Sequence, residues 1–401
     1  MKEEEMKVVA DEVKKSKGKT YMFFIGAGFS VPAGLPTASV LNSKIVEADK
    51  LQIGAHSDGT IYRYPIEYPP ISHHHDVFLF GMEVIKRYCD NDVTKFDYEK
   101  FYEYLYNLYT ESINKEISSR LEKEYKIQGN SGKPGIKMHS NLMTFNFQYP
   151  KLVHYFLHDT DDIDYSQYNM LMLHLRRLVE QGNKVEIYSL NHDTIVEELI
   201  VEYGLSDCFC DGFSNVDSPF YDGTQPLEQF TNLYDKPIRL HKLHGSTSYY
   251  AFAIEKEKSY YEAVNLIKYP FRKDDRKLRY IASNDSYRIL GAMLGLEAEF
   301  LTGTTSKAKR YEAPIYYKPQ FKNFERDLMK ADEVYVIGYG FKDEKVNDII
   351  KYNINKDAKC VVIDPFINDL AVSKAEEILP NLPPPVRQSV VDVDWSENCC
   401  K

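Results

Sequence analysis

The chain has 401 residues, 43% hydrophobic and 27% charged, with a formal net charge of −10. This is the composition of a folded globular protein with length for a full core and a sizeable insertion. The acidic balance argues against a protein whose main task is gripping a phosphate backbone, so nucleic acid is not expected as a direct ligand.

The opening segment Met1–Lys17 mixes both charge signs without an apolar stretch, so it does not read as a secretory leader. No apolar run approaches the ~20 residues of a membrane helix. A cytoplasmic protein that does not engage a membrane is expected. The cysteines Cys89, Cys208, Cys210, Cys360, Cys399 and Cys400 contain no pair of CxxC motifs, which argues against a four-thiolate zinc site. Cys208 and Cys210 read as reduced thiols near a strand or loop, and no metal is expected.

The first apolar run, Tyr21–Ile25, is continuous and ends at Gly26, as suits a strand buried on both faces. The next strand, Val185–Leu190, lies much further along than one crossover needs. Helical periodicity over Asp97–Lys126 and Tyr165–Glu180 marks residues 70–182 as a mainly helical insertion packed against the sheet. His73, His74 and His75 are read as a loop. Further strands are expected at Ile238–Leu243, which alternates more and so sits nearer an edge, at Val334–Ile337 and at Cys360–Ile363. Helical patterns cover Asp193–Tyr203 and Glu344–Tyr352. A second insertion occupies 250–310, with the mixed-charge run Phe271–Lys277 as a solvated loop. Strands alternating with helices imply an α/β fold: a Rossmann-like parallel sheet flanked by helices, with a large helical insertion. Its core is placed at 18–69, 183–249 and 311–370 of a single domain spanning 1–401.

Polar residues cluster where these strands end. After the first comes Gly26-Ala27-Gly28-Phe29-Ser30, then Gly34-Leu35-Pro36-Thr37. Glycines let a backbone approach a pyrophosphate, although a tight strand-to-helix turn needs them without any ligand. The segment lacks a P-loop lysine. The second strand ends in Asn191-His192-Asp193, where Asp193 also suits a helix cap. The third ends in Leu243-His244-Gly245, and the fourth in Gly338-Tyr339-Gly340-Phe341-Lys342-Asp343. Asp343 is read as a cap. Asp364, closing the fifth strand, suits either ribose hydroxyls or a turn.

The first of these segments resembles the cofactor loop of sirtuin-like proteins. Asn191-x-Asp193 and Leu243-His244-Gly245 resemble that family's catalytic motifs. Gly338-Tyr339-Gly340 resembles its Gly-Thr-Ser turn with the polar residues replaced, a form closer to bacterial sirtuin-like defence proteins. The resemblance implies NAD+ as substrate. Gly26, Ala27, Gly28, Ser30, Pro36, Thr37, Gly338, Tyr339, Gly340 and Asp364 would bind it. Asn191 would hold the ribose and its attacking water, Asp193 the nicotinamide end, and His244 would act as base or ribose-hydroxyl partner. His192, where the family has an apolar residue, receives no role.

Deacetylases of the family carry a four-cysteine zinc module, which this chain lacks. The resemblance therefore favours an NAD+ glycohydrolase of the antiphage-defence kind, giving nicotinamide and ADP-ribose. It would be controlled by oligomerisation or by a partner such as a HerA-type hexameric ATPase. The other readings are an NAD-dependent protein deacylase, a non-catalytic module binding NAD or ADP-ribose, and recruitment to nucleic-acid cleavage with a partner.

Overall fold

The computed structural model describes residues 18–56, 61–65, 72–125, 136–158, 163–221, 225–257, 260–269, 287–289 and 313–396. In chain order its strands are β1 (Thr20–Ile25), β2 (Ile53–Ala55), β3 (Ile61–Arg63), β4 (Lys184–Ser189), β5 (Phe209–Cys210) and β6 (Gly212–Ser214). They continue with β7 (Gln229–Leu233), β8 (Ile238–Lys242), β9 (Tyr249–Glu257), β10 (Tyr260–Lys268), β11 (Tyr287–Ile289), β12 (Glu333–Ile337) and β13 (Lys359–Ile363).

Six strands form one sheet in the order β13-β12-β1-β4-β8-β5, and every pairing in it is parallel. The expected parallel α/β sheet flanked by helices is present. In β1, Met22 and Phe24 point into one core with Val334, Val336 and Phe324, while Tyr21, Phe23 and Ile25 point into another with Tyr335, Leu175 and Trp395. Alternate residues of a strand face opposite sides. With both sides covered, the strand must be apolar throughout, which is why β1 reads as a continuous run. The helices Tyr317–Leu328, Glu344–Asn353 and Asp369–Ile378 supply the first core, and Asn169–Glu180 and Ile195–Glu202 the second. The strand β8 is next to the edge. The edge strand β5, two residues long, is too short for periodicity to reveal.

The helices His73–Tyr88, Tyr98–Glu111, Lys115–Glu124 and Ile136–His158 surround a separate core that includes Phe78, Phe101, Phe145 and Tyr149. Its limits differ from those expected. Leu41, Ile45, Ile53 and Ile61 pack into it, so the lobe draws on residues well before 70. The helix Asn169–Glu180 packs on the sheet, as expected of the insertion, whereas the four helices above build their own core. His73–His75 are not a loop. They open the helix His73–Tyr88, where Ser72 accepts the His75 N–H at 3.2 Å. The i, i+3, i+7, i+10 series His75, Phe78, Met82 and Ile85 is buried, a stripe that three consecutive histidines concealed.

A second, antiparallel sheet runs β11-β9-β10-β7-β6. It therefore begins before β8, at Gly212, and not at residue 250. Phe271–Lys277, Cys399 and Cys400 lie outside the described residues. Among the described residues no helix is long and apolar enough to cross a membrane.

His174 gives this fold an acid sensitivity. Its ring sits 5.3 Å from Trp395 and 6.4 Å from Phe23, and burial, helped by Arg177, holds its pKa down at about 4. Below pH ~6.5 the unfolded chain takes this proton and the folded chain does not. Stability therefore falls between about pH 6.5 and 4, by roughly 3 kcal/mol in all. Denaturant unfolding across that range should show this component in the parent and not in His174→Leu; equal acid slopes would contradict it.

Candidate functional site

Parallel pairing puts the carboxyl ends of β12, β1, β4 and β8 along one edge of the sheet. The hydrogen-bond ladder continues past each strand. The N–H of Gly26 donates to Ile337 O at 2.9 Å, Leu190 to Ile25 O at 3.0 Å, Leu243 to Ser189 O at 2.9 Å and Gly338 to Ile363 O at 2.9 Å. The four polar loops thus leave the sheet side by side. The chain fills β4 and β8 on one side of β1 before filling β12 and β13 on the other. The reversal falls between β1 and β12, where open α/β sheets bind ligands.

Two glycine turns meet at that point. Gly28 N–H donates to Gly338 O at 3.1 Å. A Cβ on Gly28 would lie 2.7 Å from Gly338 Cα, and one on Gly26 would lie 2.6 Å from Gly338 O. These glycines are thus required first by the contact between the turns, whereas the sequence suggested approach to a pyrophosphate. Tyr168, from the 3-10 turn before the helix Asn169–Glu180, donates its hydroxyl to Phe29 O at 2.7 Å and fixes the first turn from behind.

A directed chain of side chains joins the loops after β1 and β4. Asn191 Nδ2 donates to Gly26 O at 2.9 Å and to Ser30 Oγ at 3.1 Å. Ser30 Oγ donates to Asp193 Oδ2 at 2.8 Å, and Asp193 Oδ1 accepts the Ile195 N–H at 3.1 Å. A carbonyl only accepts, so the amide orientation of Asn191 is fixed. Both of its N–H donors are engaged, leaving Oδ1 as the group that can receive a hydroxyl or water. Asp193 has a supporting place behind Ser30, and its bond from Ile195 N–H closes a turn at the helix start, where Thr194 is the N-cap. Asn191, Asp193 and Ser30 are all less than 10% exposed. Loops this buried need internal partners for their polar groups, and these bonds supply them.

The loop after β8 completes the edge. Thr247 donates to His192 O through N–H at 3.0 Å and Oγ1 at 3.1 Å. His244 is 4% exposed, with its ring centroid 6.1 Å from that of His192. Its Nε2 lies 3.3 Å from Asp343 Oδ2. Asp343 is the cap expected from sequence, since its Oδ1 accepts the Val346 N–H at 3.2 Å. The approach to His244 was not foreseen, because a contact across the sheet leaves no local pattern.

Lys242, also missed, is 2% exposed and donates its ammonium to Asp193 O, with Glu197 Oε1 at 3.3 Å. Burial pushes the Glu197 carboxyl up against the opposing pull of Lys242. Lys242→Met strands both acceptors and should cost about 3 kcal/mol in denaturant unfolding. An unchanged midpoint would contradict the clamp.

The remaining predicted residues are less convergent. The Tyr339 ring is in the core, 4.9 Å from Phe24, with its hydroxyl donating to Asn347 Oδ1 at 2.8 Å. The core therefore takes its side chain, leaving only its backbone to serve a ligand. Ala27 and Gly340 are exposed, and Pro36 is half-buried. Thr37 caps the helix Ala38–Val46. Asp364 Oδ1 accepts the Phe366 N–H at 2.8 Å, forming the turn that was its alternative reading.

Among the described residues, Glu186, His241 and Asp327 bring three possible metal ligands together. Arg239 already donates to Glu186 at 3.0 Å and Arg326 to Asp327 at 2.7 Å. His241 stacks between Tyr188 and Tyr234, at 4.4 and 4.0 Å, with Nδ1 3.0 Å from Gln320 Oε1. These pairs link β4, β8 and the helix Tyr317–Leu328, while Glu186 Oε2 and His241 Nε2, 3.4 Å apart, are buried with no hydrogen-bond partner among the described residues.

No family model matches the sequence, and no curated protein matches it. Among solved structures the chain is similar to a Sir2 homolog–NAD complex, at 11% identity and TM-score 0.35 over 96% of this chain and 91% of that one. It is also similar to Sir2Tm bound to a propionylated peptide, at 12% identity and TM-score 0.33 over 96% and 94%. A third, from work on sirtuin substrate affinity, gives 12% identity and TM-score 0.37 over 96% and 95%. At that identity and overlap they assign no activity to this chain.

Proposed function

We propose that the chain is an NAD+ glycohydrolase that cleaves NAD+ to nicotinamide and ADP-ribose. The observation that carries this reading is the directed chain Asn191–Ser30–Asp193, with His244 on the adjoining loop, at the reversal point of a parallel sheet. In this reading the pyrophosphate crosses the paired turns at Gly28 and Gly338, and the nicotinamide ribose lies over Asn191 and His244.

Nicotinamide leaves as a neutral ring from a cationic precursor. No general acid is needed, unlike ordinary glycoside hydrolysis with its carboxyl pair. The protein has to hold the ribose, exclude bulk solvent and favour an oxocarbenium-like transition state. Asn191 Oδ1 accepts a hydrogen bond from the attacking water. As the water oxygen bonds to the anomeric carbon and the bond to nicotinamide nitrogen breaks, the water's proton passes to His244 or to solvent. Unchecked NAD+ loss is lethal, so the proposal includes control by self-assembly or by a partner chain such as a HerA-type ATPase, as in antiphage effectors.

The test is incubation of the purified chain with NAD+, alone, with a candidate partner and with an acyl-lysine peptide, followed by chromatography. Nicotinamide and ADP-ribose formed without peptide is the expected result. Nicotinamide formed only with acylated peptide would replace hydrolysis by deacylation, and no turnover in any arm would leave a binding module.

A further inference from the structure

We infer that Asp343 sets the tautomer of His244, holding its proton on Nε2 and leaving Nδ1 as the basic nitrogen. This deepens the reading of the site as NAD+-cleaving and rests on it only where turnover is concerned. The carboxylate has two oxygens with different tasks. Oδ1 accepts the Val346 N–H at 3.2 Å and caps the helix Glu344–Asn353. Oδ2 lies 3.3 Å from His244 Nε2, an ion-pair distance at an angle short of a formed hydrogen bond. The two residues come from loops after β12 and β8, with β1 and β4 between those strands in the sheet, so the pair spans the whole candidate site.

A carboxylate in this position accepts and never donates, so the neutral imidazole facing it carries its proton on the near nitrogen. His192, whose ring centroid is 6.1 Å away, and the Lys242–Glu197 pair are other titratable groups on the loop, strand and helix beside His244. Neither Lys242 nor Glu197 replaces the Asp343 contact, because their ammonium and carboxylate face each other at 3.3 Å. Asp343 is a positioning residue: it acts through His244.

The cap provides the control. Asparagine caps a helix about as well as aspartate, through the same Oδ1. Asp343→Asn therefore keeps the helix start but turns an N–H donor toward Nε2, which favours the opposite tautomer. Asp343→Ser keeps a cap and removes the contact.

The experiment is nitrogen-15 NMR of the full chain with labelled histidine, the His244 signals being assigned by their loss in His244→Gln, together with NAD+ turnover. In the parent, His244 should show a protonated Nε2. In Asp343→Asn the proton should move to Nδ1, with kcat down about a thousand-fold at little change in KM and thermal stability within a few degrees of the parent. Asp343→Ser should lose the tautomer preference and fall between the two in rate. A protonated Nδ1 in the parent, or the same tautomer in parent and Asp343→Asn, overturns the inference whatever the turnover. The expected tautomers in a parent that cleaves no NAD+ would uphold the pair and remove the proposed function.

Discussion

If the proposed function holds, His244→Ala should lower NAD+ cleavage by about two to four orders of magnitude while the chain still folds. The imidazole is 4% exposed, and it faces Asp343 and the His192 ring instead of filling one of the apolar cores. Its removal thus deletes a proton acceptor or ribose anchor and, at 4% exposure, also leaves a small buried cavity. Asn191→Ala is a less clean test than the sequence suggests. It removes the same kind of activity but also strands Gly26 O and Ser30 Oγ, which the Asn191 amide holds at 2.9 and 3.1 Å. Buried acceptors without donors cost about 1–3 kcal/mol each at most, so this variant should lose thermal stability as well. Turnover by steady-state product assay and unfolding by calorimetry separate the two effects. A His244→Ala enzyme working at the parent rate would remove His244 from the site.

Gly338→Ala should destabilise the chain by about 4 kcal/mol or more, among the largest effects a single methyl can have. Gly338 has φ +61°, in the left-handed region, and its Cβ would lie 2.5 Å from Gly28 Cα and 2.6 Å from both Gly28 C and Phe29 N. Those atoms are backbone, held by the ladder bonds from Gly26 to Ile337 and from Gly338 to Ile363, so they cannot swing aside. Gly340, two residues on, is the control. A Cβ there meets nothing nearer than 3.9 Å, so Gly340→Ala should stay within about 0.5 kcal/mol of the parent. Equal denaturation midpoints for the two variants would contradict the packing of the turns.

The main sheet was legible because burial on both faces leaves a strong trace. Tyr21–Ile25, Val334–Ile337 and Cys360–Ile363 are apolar runs bounded by turn residues, and parallel pairing follows from the helices between them. The polar strand ends were legible because Asn191, Asp193 and His244 directly follow the strand runs Val185–Leu190 and Ile238–Leu243. What stayed hidden depends on distant partners. His244 and Asp343 are far apart in sequence, and Lys242 reads as an ordinary strand lysine until its ammonium is found on Asp193 O. Tyr339 misled in the opposite direction. Its place between two glycines suggested a ligand turn, but its ring packs against Phe24. The helical lobe was misplaced at its start because the short β2–β3 hairpin carries too few residues to show a period.

Soaking or co-crystallising the chain with ADP-ribose tests the nucleotide site most directly. The diphosphate should lie across the backbone of Gly28 and Gly338, with the distal ribose within hydrogen-bonding reach of Asn191 and His244. Saturating ADP-ribose that binds on another surface, or that fails to bind the folded protein at all, would contradict it.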